Sequence, residues 1–267
     1  MGRHRSAARH LTLADKNEPP RQADVLVGYP CHGQVEAMFA YDLARLVGYS
    51  VGNGMGPGRP LDTLRIMAKN GTLIADQRYD IASSAVRLGA SHILWLDADM
   101  RFPKDTLTRL LAHDKEIVGA SYCKRREPLG TVAFNGIHGE PPYKVVYTYP
   151  FSTGLEKVDM VGFGCLLTRT SALKKMEEPW FPMIWGRDSE GRFGLDGEDT
   201  SFFRLAHTAG VECWIDHDLS KEVKHIGVRE YTHEDAVADK VAMRKDPGFY
   251  VEETPEPPAP AGPKLEA

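Results

Sequence analysis

The stretch from His92 to Pro103, HILWLDADMRFP, decides the fold that the sequence predicts. Its apolar run, ILWL, is typical of a central strand in a parallel sheet, because both faces of such a strand are covered. Two acids, Asp97 and Asp99, follow this run and are separated only by Ala98. Alternate residues of a strand point to the same side, so we expect both carboxylates to face one point where the strand leaves the sheet.

Two unpaired carboxylates at one point would repel each other and destabilise their ionised forms. A divalent cation removes that cost, and oxygen ligands of this kind suit Mg²⁺ or Mn²⁺. Open α/β sheets bind ligands at the carboxyl ends of their strands, which is where these acids are expected. The other interpretation is that one aspartate caps the next helix and its neighbour is solvated.

Strand-like and helix-like segments alternate around this stretch, which predicts an α/β fold with a mainly parallel, Rossmann-like central sheet flanked by helices. A first strand is expected over 23–30, and a helix over 34–48 that Gly48 would end. A second helix is expected over 71–90 and a third from Pro103. The glycine-rich segment 50–60 reads as a surface loop, since its glycines are not spaced as G-x-G-x-x-G. Shorter strands later in the chain predict a smaller mixed β region, before a last helix over 229–245.

The composition excludes several classes of protein. The four cysteines lie far apart with no C-x-x-C pair, which argues against a secreted disulfide scaffold or a zinc cluster. The formal charge of −4 does not indicate a surface built mainly for nucleic-acid phosphates. No apolar run approaches the roughly 18 residues that span a bilayer, and the first residues lack a signal-peptide core, so we expect no stable membrane insertion and a cytoplasmic location.

The chain divides into four expected parts. Residues 1–22 are predicted to be a flexible arm, and 23–125 the first α/β half. Residues 126–245 are expected to form the second half of the same domain. The proline-rich segment 246–267 is expected to be a disordered tail.

A second acidic pair lies in LDGEDTSFFRLAHTAG, where Glu198 and Asp199 stand at a predicted helix start. Acids at that place also stabilise the helix dipole, so a structural role remains open. The sequence KHIG then supplies His225 after another strand-like stretch. His217, in DHDL, is the competing histidine for a metal site.

Three elements in order, LWLDADMRFP, GFGCLLTRTSAL and GEDTSFFRLAHTAGVECWIDHDLSKEVKHIG, resemble GT-A fold glycosyltransferases of the family 2-like type. They are similar to the short, stand-alone forms found in bacteria and phages, and the resemblance covers roughly residues 23–230. It implies a GT-A fold and a cytoplasmic enzyme of a bacterial or phage-infected cell. It also implies inverting transfer of a sugar from a nucleoside-diphosphate sugar, a UDP-sugar being favoured.

The resemblance also implies roles for individual residues. Asp199 would be the catalytic base, and Glu198 would orient the acceptor or replace Asp199 as base. Mn²⁺ or Mg²⁺ would bind Asp97, Asp99 and His225. The donor would contact the Asp-x-Asp element, and Arg78 in DQRYD would reach toward the nucleotide, although Tyr79 stands where many relatives have asparagine. The residues expected to bind the donor are Pro30, His32, Arg78, Asp97, Ala98 and Asp99.

The acceptor and some surrounding side chains stay open at this stage. A hydroxymethylated base in phage DNA, a virion or other protein, and a glycan are all possible acceptors. The alternatives to a glycosyltransferase are a nucleotidyltransferase, which would normally carry an early glycine-rich basic motif that VGYPCHGQ lacks, and a non-catalytic nucleotide-sugar-binding protein. Aromatic residues could stack on a sugar or pack in a loop, and basic residues could meet phosphate or be solvated; these are Trp180, Phe181, Trp185, Lys124, Arg125 and Arg126.

Overall fold

The computed structural model describes residues 24–125, 128–136, 143–187, 193–227, 230–240, 244 and 249–250. The predicted arm 1–22 and most of the predicted tail 246–267 therefore lie outside the described residues. The helices are α1 (Ala37–Asn53), α2 (Ile74–Leu88), α3 (Thr106–Ala112), α4 (Thr170–Leu173), α5 (Glu198–Thr208), α6 (His217–Ser220) and α7 (His233–Ala238).

The strands form one large sheet and three small ones. In chain order they are β1 (Asp24–Cys31), β2 (Thr63–Asn70), β3 (His92–Leu96), β4 (Met100–Arg101), β5 (Ile117–Gly119), β6 (Ala133–Asn135), β7 (Tyr143–Val146), β8 (Leu155–Val158), β9 (Cys165–Arg169), β10 (Ile184–Arg187), β11 (Phe193–Asp196), β12 (Cys213–Asp216), β13 (Lys224–Ile226), β14 (Glu230–Tyr231) and β15 (Phe249–Tyr250).

The large sheet has seven strands in the order β2-β1-β3-β9-β5-β12-β8. Strands β2, β1, β3, β5 and β12 run in one direction, while β9 and β8 run in the other. The prediction of a mainly parallel, Rossmann-like sheet flanked by helices is confirmed. The three small sheets, of which β6, β7 and β15 form one, give the second half its mixed β character.

Strand β3 has covered faces on both sides, as its continuous apolar run predicts. Ile93 and Trp95 belong to a core that α2 and α5 complete. Leu94 and Leu96 belong to a second core, completed by α1 and α3. The Trp95 indole donates to Thr168 Oγ1 on the neighbouring β9 at 2.9 Å, so the one polar atom of this buried ring is satisfied.

Several predicted helix bounds are wrong; α2, for example, begins at Ile74 and not at Gly71. Helix α1 continues through Gly48 to Asn53, and its end is fixed there because Asn53 Oδ1 accepts from the Gly58 N–H at 2.9 Å. The first residues of the glycine-rich segment 50–60 are therefore helical. Helix α3 begins three residues after Pro103, whose carbonyl accepts from the Thr106 hydroxyl at 2.7 Å.

The predicted last helix is short and starts late. It runs from His233 to Ala238, and Thr232 and Asp235 form a capping box at its start. Residues 230–231 form β14 instead of a first helical turn. Among the described helices, none combines the length and the apolar character that crossing a bilayer would require.

The path of α1 predicts opposite effects at two glycines. Gly48 lies inside the helix with open space where a Cβ would be, so Gly48→Ala should raise the free energy of unfolding by about 0.5–1 kcal/mol. A Cβ on Gly54, the C-cap, would collide with the Leu61 side chain, so Gly54→Ala should lower it by about 1–3 kcal/mol. Urea denaturation of both variants tests this, and a destabilising Gly48→Ala would contradict the helical assignment.

Candidate functional site

A cavity of about 530 Å³ lies at the carboxyl ends of β1 and β3. These two strands are parallel neighbours, so their carboxyl ends meet at one edge of the sheet. Six of the nine residues predicted to form the site line it, namely Pro30, His32, Asp97, Ala98, Asp99 and His225. The cavity is therefore where the sequence predicts a ligand site, beyond the carboxyl ends of parallel strands.

The two aspartates of the Asp-x-Asp element are held differently from the expectation. Strand β3 ends at Leu96, and the turn that follows leads directly into β4, with the Met100 N–H donating to the Asp97 carbonyl at 3.1 Å. Asp97 and Asp99 are therefore turn residues and not alternate residues of one strand. Each carboxylate has its own partners, so the repulsion expected of two acids facing one point does not arise.

Asp99 faces the edge where β13 joins β4. The backbone N–H of Ile226 donates to the Asp99 carbonyl at 2.8 Å, and His225 pairs with Met100 in the same ladder. This pairing brings His225 Nε2 to 3.5 Å from Asp99 Oδ2. The other ring nitrogen, Nδ1, lies 3.1 Å from the Cys123 carbonyl, which can only accept, so Nδ1 carries a proton.

The charged form of Asp99 is favoured. Burial alone would raise its pKa, but the hydrogen bond and charge of His225 and the charge of Arg125 outweigh burial and hold the pKa below its ordinary value. Arg125 Nη2 lies 2.8 Å from Asp99 Oδ2. The second oxygen, Oδ1, is buried and has no hydrogen-bond partner among the residues that the structure describes. A carboxylate with one oxygen near an imidazole and the other without such a partner is a donor set that suits a cation.

The ligand set is small. Among the residues that the structure describes, no three His, Cys, Asp or Glu side chains gather closely enough to hold a metal. Asp99 and His225 are the near pair, while Asp97 is engaged elsewhere. A cation here would thus take most of its ligands from a bound molecule or from water.

Arg78 is what engages Asp97. This α2 side chain is 3% exposed, and its guanidinium donates to Asp97 Oδ1 at 3.2 Å and to Glu198 Oε1 at 2.6 Å. The guanidinium carbon also lies 4.5 Å from the centre of the Phe163 ring. Burial would lower the pKa of Arg78, but Asp97, Glu198 and Asp199 together raise it. Arg78 lies behind Asp97 and does not line the cavity, so it links two acidic elements instead of forming the wall.

Glu198 and Asp199 occupy the first turn of α5, where acids stabilise the helix dipole. Glu198 is buried, and burial is the main reason why its pKa is raised; Asp199 and Asp97 raise it further, and Arg78 lowers it. Asp199 is half-buried and accepts from the Thr200 N–H at 2.8 Å. It has no ion-pair partner among the described residues. Neither acid lines the cavity, so the structure joins them to the site only through Arg78.

Tyr122 is a site residue that the sequence did not indicate. Its hydroxyl oxygen accepts from the Gly164 N–H at 3.0 Å, and its ring meets that of His225 at a centroid distance of 5.4 Å. A Cβ on Gly162 or Gly164 would collide with the Tyr122 hydroxyl, which explains both glycines of the GFG element. Burial, followed by the charge of Asp97, raises the pKa of Tyr122 well above its ordinary value, so it stays neutral. The flanking glycines were the signal that could have found it.

Gln77 is a second residue that the sequence analysis passed over. It lines the cavity, and its Oε1 accepts from the Cys31 N–H at 3.0 Å. Because Cys31 N–H can only donate, the amide orientation is fixed, and Nε2 is left buried with no partner in the described part of the chain. Gln77 thus joins the end of β1 to α2 beside the predicted donor residues.

The structure distinguishes between the roles left open for the neighbouring aromatic and basic side chains. Trp180 and Phe181 are buried in the core with α2 and α5, so they are packed. Tyr79 packs on Trp180 and donates to Glu178 at 2.7 Å, which accounts for tyrosine at this position. Arg125 lines the cavity, whereas Arg126 lies outside the described residues.

The competing histidine His217 is not part of this cavity. Its Nδ1 lies 2.9 Å from Thr148 Oγ1 and its Nε2 lies 2.8 Å from Glu156 Oε2. Both ring nitrogens therefore have partners, and the side chain is buried. His225 is the histidine that the fold brings to the Asp-x-Asp turn.

Comparison with known proteins gives distant structural neighbours only. No family model matches the chain, and no curated protein matches it in sequence. A197 from STIV is similar in structure with a TM-score of 0.48 and 15% identity, over 76% of this chain and 85% of A197. A glycosyltransferase involved in the glycosylation of the major capsid of PBCV-1 is similar with a TM-score of 0.29 and 13% identity, over 58% of this chain and 68% of the other.

Proposed function

We propose that this protein is a metal-dependent glycosyltransferase of the GT-A type. It would transfer a sugar from a nucleoside-diphosphate sugar, a UDP-sugar being favoured, to an acceptor hydroxyl in the cytoplasm. The observation that carries the proposal is the pair of Asp99 and His225 on the wall of a cavity at the carboxyl ends of β1 and β3. His225 Nε2 lies 3.5 Å from Asp99 Oδ2, and the buried Oδ1 of the same carboxylate has no hydrogen-bond partner among the described residues. The order of motifs along the chain supports it independently.

Asp99 and His225 would hold Mn²⁺ or Mg²⁺. When bound, the cation would supply Lewis-acid stabilisation of the negative charge on the leaving diphosphate. Two protein ligands are few, but Mg²⁺ sites are commonly built from one or two carboxylates with substrate phosphates and water. Cys123 contributes by holding a His225 proton on Nδ1, so Nε2 is the possible ligand atom. A proton that Nε2 donates to Asp99 in the metal-free site would leave when the cation binds.

The donor would lie along the mouth of the cavity. Pro30 and His32 end the β1 side, and Ala98 separates the two aspartates on the β3 side. Arg125, also on the cavity wall, is ion-paired with Asp99. Its guanidinium could pair with the diphosphate of the donor instead. Arginine suits this role because its planar fork can contact two phosphate oxygens.

Asp199 would serve as the base. Glu198 is occupied by Arg78 at 2.6 Å, whereas Asp199 has no cationic partner among the described residues. In the transfer, the acceptor O–H bond breaks and its proton passes to the Asp199 carboxylate. The acceptor oxygen bonds to the anomeric carbon through an oxocarbenium-like state, while the bond from that carbon to the phosphate oxygen breaks and the nucleoside diphosphate leaves. One base and one displacement give inversion.

Asp99→Asn tests the cation site. Removing the charge of a metal ligand should weaken binding of UDP with Mn²⁺ by at least about tenfold to a hundredfold, as measured by titration calorimetry. Asp62→Asn, at an exposed aspartate before β2, is the matched control and should bind like the unmodified protein. The assignment of Asp99 fails if the variant keeps its metal-dependent affinity.

Asp199→Asn tests the base. The variant should bind donor normally but lose about 10²–10⁴-fold in kcat, measured as release of nucleoside diphosphate when the sugar passes to water or acceptor. Asp76→Asn is the control, because Asp76 also lies in the first turn of a helix but is exposed on α2. Equal turnover in Asp199→Asn would place the base elsewhere, with Glu198 the first alternative.

A further inference from the structure

Strands β10 and β11 form an antiparallel ribbon with an unusual apolar face. Trp185 pairs with Leu195, and Phe193 is two residues away on the same face. Their exposed fractions are 65%, 39% and 63% respectively. The Trp185 and Phe193 rings lie side by side, with centroids 6.0 Å apart and planes inclined by 36°. Single exposed apolar side chains are normal on a protein surface, whereas a contiguous patch of large ones is typical of a binding surface.

The ribbon is fixed to the helix that carries the proposed base. Asp196, on the other face of the ribbon, accepts from Arg204 on α5 at 2.7 Å. Only Asp196 and Gly197 separate Leu195 from the first turn of α5. The four residue steps from Leu195 to Asp199 span at most about 14 Å, so the apolar face lies within the length of a short oligosaccharide from Asp199.

Charge limits what this face can bind. From Met183 to Asp199 the sequence contains five acidic and two basic residues. Of the described acids, Asp196 lies on the other face of the ribbon and is paired with Arg204, and Glu198 is buried and paired with Arg78. Asp199 follows at the start of α5. The strand register places Arg187 opposite Phe193. Nucleic acid requires basic groups to neutralise its phosphates, and anionic lipid headgroups require them likewise. The excess of acidic over basic residues along this segment therefore disfavours a polyanion as the occupant.

A neutral sugar ring fits the combination of groups. Its C–H face can cover an aromatic ring and remove apolar surface from water, while its hydroxyls can donate to carboxylates, which only accept. Trp185 and Phe193 supply the rings. Because Asp196 is paired with Arg204 and Glu198 with Arg78, Asp199 supplies the carboxylate that a hydroxyl can reach. Trp185 and Phe193 also have few rotatable bonds, so ordering them on binding costs little.

We infer that the face formed by Trp185, Phe193 and Leu195 binds the acceptor, and that the acceptor is an uncharged glycan rather than modified DNA. This inference rests on the proposed function, because the position of Asp199 gives the face its meaning. The ribbon holds a sugar unit of the acceptor while a hydroxyl of the same molecule reaches Asp199. The apolar face of the ribbon contacts the acceptor and does not line the donor cavity.

The test measures the binding of neutral oligosaccharides of glucose, galactose, mannose and N-acetylglucosamine to the protein. Binding is detected by saturation-transfer NMR and by tryptophan fluorescence. At least one should bind the full chain, and Trp185→Ala or Phe193→Ala should weaken that binding by about tenfold or more. Trp185→Phe should retain much of it. Val51→Ala, at an exposed apolar residue of α1, is the control and should have no effect.

Separate measurements distinguish the failure of this inference from that of the proposed function. Thermal melting and UDP–Mn²⁺ calorimetry on the Trp185→Ala protein should match the unmodified chain, because the face lies outside the donor cavity. If the unmodified chain binds no nucleotide but binds oligosaccharide through Trp185, the proposed function fails and the sugar-binding face stands.

The inference is overturned if no oligosaccharide binds, or if binding survives both alanine substitutions. It is also overturned if single-stranded DNA containing hydroxymethylcytosine binds in a Trp185-dependent way. Finally, it is overturned if the unmodified chain is a dimer that Trp185→Ala dissociates, since the face would then be covered by a second copy.

Discussion

The guanidinium of Arg78, buried between Asp97 and Glu198, is the contact on which the arrangement of the site depends. It joins the end of β3 to the start of α5, two elements that lie about a hundred residues apart in the chain. Breaking such a pair by removing one partner typically costs about 3–5 kcal/mol, because a charge remains buried without compensation. Lysine could not replace it, since one ammonium cannot contact two carboxylates in a plane and stack on Phe163 as well.

This contact gives the acidic residues different tasks. Asp97 and Glu198 form ion pairs with Arg78 and so connect β3, α2 and α5. Asp99 and Asp199 form no ion pair with Arg78. Each pair of neighbouring acids therefore contains one structural and one available carboxylate. The sequence presents the two members of each pair as equals, and only the position of one arginine distinguishes them.

The sequence predicted the fold where the pattern reflects burial. The run before Asp97 specifies a strand with two covered faces, and Gly89 ends α2 in the left-handed conformation that favours glycine. The prediction failed at Gly48, because a glycine inside a helix lowers stability without ending the helix; the Asn53 side chain decides the end. For the site, six of the nine predicted residues line the cavity. The role of Arg78 and the presence of Tyr122 depend on contacts between distant segments that local patterns do not contain.

The order of the motifs becomes intelligible from the direction of the strands. Strand β9 runs antiparallel to β3, so its first residues, and the GFG element before them, lie at the same edge where β3 ends. There the Asp97 N–H donates to the Gly164 carbonyl at 3.2 Å, and the glycines leave room for Tyr122, which follows β5 at that edge. Strand β13 then adds His225 by pairing with β4, directly after the Asp-x-Asp turn. A fully parallel sheet would have carried the start of β9 to the opposite edge, so the one reversed strand inside the sheet is what allows three separate sequence elements to form one site.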